Sequence, residues 1–132
     1  MTQMTMRTST DRTYDETVAL VRRLLPDVGF GVLTEIDLQA TMKGKLGVDV
    51  EPQLILGACR PELALAATQA EPSIAALLPC NVVIRAHGGE TVVETLDPRV
   101  MTTMTAGGAV LQDVAEDARG RLAELLHLVG GA

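Results

Sequence analysis

The sequence predicts an α+β domain, a mixed sheet with helices packed mainly on one face. Three observations predict it. Segments with the period of a helix are interleaved with short alternating or continuously apolar runs of strand length. One pair of strands is joined by an unambiguous two-residue hairpin loop, Gly88-Gly89, which a doubly wound fold does not use. Hydrophobic residues make up 47% of the 132-residue chain, enough to pack one core without disulfides or a structural metal. No internal repeat, low-complexity tract or linker divides the chain, so a single domain over residues 1–132 is expected.

The elements follow in order. Met4, Met6 and Thr8 alternate with Thr5, Arg7 and Ser9, as in an opening strand. Thr13 and Glu16 form a capping box at the start of a helix with Val18, Val21, Leu25 and Val28 at helical spacing. Pro26 must end or kink that helix, and Gly29 punctuates it before a second strand within "DVGFGVLTEI". Asp37 caps a short helix carrying Leu38, Met42 and Leu46 on one stripe. Lys43 and Lys45 lie near its negative end, and Gly47 closes it. "QLILGA" is a continuous apolar run of buried-strand length. Pro61 opens the Ala-rich helix "PELALAATQA", and Pro72 and Pro79 bracket a further turn or two around Ile74, Leu77 and Leu78. The hairpin loop fixes the next register. Val82, Ile84 and Ala86 share a face with Thr91, Val93 and Thr95, while Arg85 and Glu94 are diagonal neighbours on the other. A last helix, from about residue 110 to 128, turns Leu111, Val114, Ala118, Leu122, Leu125 and Val129 inward. It leaves Glu116, Asp117, Arg119 and Arg121 to solvent.

Charge and composition exclude whole classes of partner. With 17 acidic against 11 basic residues the net charge is −6, and the only aromatic residues are Tyr14 and Phe30. Nothing is left to neutralise phosphates or stack on bases, so no nucleic acid is expected, and anionic membrane surfaces are disfavoured for the same reason. No run of about 18 apolar residues spans a bilayer, and "MTQMTMRTSTDRT" lacks the apolar region of a secretory signal. A cytoplasmic location is expected, in which the two cysteines exist as thiols.

Four segments, "GFGVLTEIDLQATMKGKLG", "LILGACRPELALAA", "LLPCNVVI" and "TLDPRVM", together resemble the DUF302 family of bacteria and archaea over about residues 13–104. The resemblance implies a TBP-like fold, a curved, mainly antiparallel sheet with helices on one side, often paired as a dimer. It implies no activity. Where this branch of the family usually has Asn after the first cysteine, this chain has Arg60, and another branch lacks both cysteines. The resemblance thus implies that the thiols are not needed to build the fold and share a job.

Cys59 falls just before the first turn of the helix starting at Pro61. Unpaired N–H groups, the helix dipole and Arg60 would favour a thiolate there, with a pKa below the free value of about 8.5. The alternative is a small apolar side chain filling a tight strand-to-helix turn. Cys80, before Asn81 at a strand start, has less electrostatic help and reads more readily as packing. The 20 residues between the cysteines rule out C-x-x-C redox chemistry and a zinc finger. A two-thiolate site for a soft ion such as Cu(I) remains, but needs a third ligand or a second chain. The methionines read as core filler. The cysteines meet only if their strands are antiparallel neighbours, because one ends its strand and the other starts its own.

Glu35, Asp37 and Lys43 form a second candidate set, for which capping and dipole pairing supply a structural alternative. His87 and His127 have no acidic or cysteine neighbour that would make a triad. "TAGGAVL" offers backbone N–H groups to an anion but lacks the Lys and Ser/Thr of a phosphate loop. No catalytic residue, metal ligand or cofactor is assigned. Two functional readings stand. One is a non-catalytic dimeric module holding a small ligand between sheet and helices, through Cys59 and Asn81. The other is a thiol protein that transfers sulfur, senses redox state or binds a soft metal through Cys59 and Cys80. A purely structural role is the third.

Overall fold

The computed structural model describes residues 4–104 and 108–130. Its elements, in chain order, are β1 (Thr5–Thr10), α1 (Tyr14–Asp27), β2 (Gly31–Asp37), α2 (Leu38–Leu46), β3 (Gln53–Cys59) and α3 (Pro61–Ala70). A 3-10 segment (Pro72–Leu77), β4 (Cys80–His87), β5 (Glu90–Leu96), α4 (Val100–Met104) and α5 (Gly108–Gly130) follow.

The strand order is β1-β5-β4-β3-β2, and every neighbouring pair is antiparallel. The mainly antiparallel sheet that the family resemblance implies is thus present, and the mixed sheet read from alternating helices and strands gives way to a wholly antiparallel one. The reason lies in the connections. α2 and α3 sit in returns between adjacent strands and are not crossovers, so β3 runs back beside β2 and β4 runs back beside β3. Only α1 spans the sheet, joining two strands that form its opposite edges.

Local chemistry sets the ends of the elements. The Thr13 side chain accepts from the Glu16 amide at 3.1 Å, and the Glu16 carboxylate accepts from the Thr13 amide at 3.0 Å, which is the expected capping box. Those bonds hold the Glu16 carboxyl below its usual pKa. At the other end of α1, the Gly29 amide donates to Pro26 and the Phe30 amide to Leu25, with Gly29 at φ +94°. This paired bonding ends the helix just after Pro26, which lies in its last turn, and only glycine takes that φ without strain.

α1 and α5 pack on one face of the sheet. Leu20, Val21 and Leu25 of α1 meet Leu54, Leu56, Val82, Ile84 and Val93 of the strands and Leu122, Leu125 and Val129 of α5 in one core. A smaller cluster joins α3, the 3-10 segment, α4 and the start of α5 around Ala67, Ile74, Met101, Leu111 and Val114. The hairpin register is as read from the loop: Val82 faces Thr95, Ile84 faces Val93 and Ala86 faces Thr91. Arg85 reaches Glu94 across the diagonal at 2.9 Å, and the Thr5 hydroxyl donates to the same carboxylate at 2.7 Å.

Three expectations change. α2 buries none of its residues, and Leu46, placed on its apolar stripe, is 68% exposed. All seven residues of β2 are exposed, and its register slips between Val32 and Thr34, leaving Leu33 unpaired in a bulge. Arg119 and Arg121 are not simply solvated. Arg119 bonds Asp97 at 3.3 Å, and Arg121 donates to the Val28 carbonyl at 3.1 Å. Among the described residues no helix is long and apolar enough to cross a membrane.

Candidate functional site

The site is built by one stretch of register. In the β3–β4 ladder Gln53 faces Arg85, Leu54 faces Ile84, and so on to Ala58 facing Cys80. The strand that ends at Cys59 thus lies beside the strand that begins at Cys80, and the two cysteines meet at one end of the sheet, one residue out of register because Cys80 faces Ala58. α3 starts immediately beyond, with Pro61 at its first position and Arg60 as N-cap residue making no side-chain cap bond. α3, α4 and α5 close over this corner. The result is a pocket lined by Cys59, Cys80 and Arg60, with Leu63, Met101 and Val114 among its apolar walls. Its room is about 20 Å³, slightly more than the roughly 10–15 Å³ that one water needs.

Both thiols are free, Cys80 buried and Cys59 half-buried. Burial pushes the Cys59 thiol above its ordinary pKa. Burial pushes Cys80 up as well, and the nearby Cys59 adds to it, since two thiolates side by side repel. The lowered pKa expected for Cys59 is therefore corrected. Desolvation outweighs the helix start, and the Arg60 guanidinium extends elsewhere. Its Nη1 lies 3.7 Å from Glu62 and beside Gly29, where a Cβ would come within 2.9 Å of both Arg60 and Arg121. The Nε of Arg60 is buried with no hydrogen-bond partner among the described residues.

The remaining candidates do not join this pocket. Asn81 faces the other side of the sheet, where it lines a separate hollow of about 280 Å³ with Leu96 and Pro79. Glu35 pairs with Arg22 on α1. Asp37 caps α2 by accepting from the Ala40 amide at 2.9 Å, and Lys43 pairs with Asp49 at 3.0 Å. Each of the three has its own structural partner, and they form no common site. His87 and His127 are exposed. The anion reading of "TAGGAVL" falls largely on residues 105–107, outside the described residues.

Two residues that matter here had no function in the sequence reading. Met101, 4% exposed, stands in the pocket wall. Asp97, 5% exposed, holds α4 in place. Its carboxylate accepts from the Arg99 amide at 2.9 Å, from the Arg99 guanidinium at 3.2 Å and from Arg119 of α5 at 3.3 Å. Burial alone would raise the Asp97 pKa, but these bonds and the Arg119 charge bring it below the usual value. The signal for both was "TLDPRVM", whose Asp-Pro pair starts a turn ahead of an apolar helix.

Fold and pocket define a class: an α+β domain with an open five-stranded antiparallel sheet and a two-thiol corner closed by helices. Within that class the model for DUF302, a domain of unknown function, matches residues 5–129, and the chain belongs to that family. The match takes in β1 and most of α5, beyond the segments that carried the resemblance. An uncharacterized conserved DUF302 protein from Bacillus stearothermophilus, known from its crystal structure, is similar at 25% identity and a TM-score of 0.85. The likeness covers 95% of this chain and 97% of that one. No curated protein matches the chain.

Proposed function

We propose that the protein is a non-catalytic binding module that captures an atom-sized, thiophilic ligand between Cys59 and Cys80 and works as a homodimer in the cytoplasm. One observation carries the reading: two cysteines separated by 20 residues of sequence line one small apolar pocket. Room of about 20 Å³ suits a single ion or atom and is far below that of an organic ligand site. Sulfur transfer and redox sensing call for a ready thiolate. Burial keeps both thiols protonated, which suits a ligand strong enough to displace their protons. The dimer is supported by β2, an edge strand with Val32, Leu33 and Ile36 exposed, flanked by exposed Leu46, Val48 and Val50. Such an edge needs cover.

Titration with Hg(II), used as a small thiophilic probe, tests the pocket. One Hg(II) per chain should remove both thiols at once, and Cys59→Ser or Cys80→Ser should abolish that coupled loss. Two ions per chain, each blocking one thiol independently, would show that the cysteines do not share a site.

A further inference from the structure

We infer that the pocket is a binding site for a monovalent soft metal ion, Cu(I) or its analogue Ag(I), held by the thiolates of Cys59 and Cys80 with the thioether of Met101 as third ligand. The inference rests on the two-thiol reading above and names its ligand.

The donor set selects the ion. Cys59, Cys80 and Met101, three sulfur-bearing residues, line one pocket, and thiolate with thioether is the combination that favours Cu(I) over harder cations. Zinc takes four ligands, drawn from Cys, His and carboxylates. Among the described residues no three Cys, His, Asp or Glu side chains come together, so the corner cannot complete a zinc set from its own residues. The third ligand that the cysteine pair lacked in the sequence is thus a methionine 21 positions beyond Cys80, carried to the pocket by α4.

Charge balance points the same way. Binding follows M⁺ + 2 RSH → [M(SR)₂]⁻ + 2 H⁺, with no electron transferred and two protons released to solvent. The complex carries one negative charge in an apolar pocket, which is costly unless it is compensated. Arg60 is the one charged residue among those lining the pocket. Its Nε–H is buried without an acceptor among the described residues, a donor left over at the pocket although the Nη1 end of the guanidinium turns toward Glu62. Room for one small particle matches a bare ion without water ligands.

The whole chain, reduced and kept anaerobic, should bind one Cu(I) in competition with a chromophoric Cu(I) chelator, and one Ag(I) likewise. Met101→Leu, which keeps the volume and leaves circular dichroism unchanged, should weaken Cu(I) binding by at least about tenfold. X-ray absorption on the unmodified protein should show three sulfur neighbours around copper. Two sulfurs alone, or an unchanged affinity in Met101→Leu, would overturn the role of Met101. Coupled capture of Hg(II) with no retention of Cu(I) or Ag(I) would overturn the metal assignment and leave the two-thiol reading standing. Loss of both would remove the reading itself.

Discussion

β3 has a strand on each side, and the two sides have opposite fates. On the β4 side, Cys80, Val82 and Ile84 are at most 9% exposed, under α1, α3 and α5. On the other side, β2 carries Val32, Leu33 and Ile36 and is exposed along its whole length. Both strands are rich in β-branched and aliphatic residues. Apolar sequence therefore did not decide which strand was buried; the helices above it did. The covered side makes a small apolar pocket that both cysteines line. The uncovered side presents an apolar edge, the feature of a strand awaiting a partner chain.

The comparison is tested hardest in the core. Leu122, fully buried, should cost about 2–5 kcal/mol when changed to Ala, whereas Leu46→Ala at 68% exposure should change stability by less than about 0.5 kcal/mol. Urea unfolding of the two variants measures both. Equal losses would mean that α2 is packed in solution, as it would be under a second chain.

Asp97 comes next. Asp97→Asn should destabilise by about 2 kcal/mol, because it weakens charge-assisted bonds to Arg99 and Arg119 in a buried position. The pH dependence has a definite sign. The folded carboxyl titrates below its unfolded value of about 3.9. Its contribution is thus complete above that value and lost as pH falls through the lower folded pKa. Stability curves of wild type and Asp97→Asn should therefore differ near neutral pH and converge in acid. Parallel curves down to acid would show that the carboxylate charge contributes nothing.

At the edge, Leu33→Lys should halve the mass seen by light scattering, from twice 14.0 kDa to 14.0 kDa. It should change the stability of the separated monomer by less than about 0.5 kcal/mol, since Leu33 is 65% exposed. A wild-type mass of one chain would remove β2 as an interface. A modest effect belongs to the outer face of the covered half. Arg85→Met should cost at most about 1 kcal/mol, because Glu94 keeps its bond from Thr5. A larger loss in thermal unfolding would show that the diagonal pair shields Val92, which is 1% exposed on that face.

What the sequence disclosed follows the range of each interaction. The β4–β5 register was legible to the residue, because a two-residue loop leaves no freedom. The capping box, the Gly29 stop and the Asp37 cap were legible because each is completed within a few residues. The meeting of Cys59 and Cys80 was legible only as a condition on strand direction, since no local signal says which strand lies beside β3. Exposure of β2 was hidden because "GFGVLTEI" has the apolarity of a covered strand. The direction of the Cys59 pKa was misjudged for a related reason. The helix dipole can be read locally, but desolvation depends on α3, α4 and α5 closing over the corner. Met101, Asp97 and Arg119 belong to the same distant closure.

The path of α1 has a consequence in time. The first of the strands in chain order, β1, pairs with β5, so Thr5 meets Leu96 across most of the chain. Its neighbour in sequence, β2, is at the far edge. The amino-terminal strand therefore has no place to dock until the hairpin has been synthesised. Until then, its backbone donors and acceptors face water or another molecule. Such long-range pairing slows folding relative to a sheet assembled from successive hairpins. The β4–β5 hairpin, local and fully specified by its loop, is the natural template on which this late arrival closes the sheet.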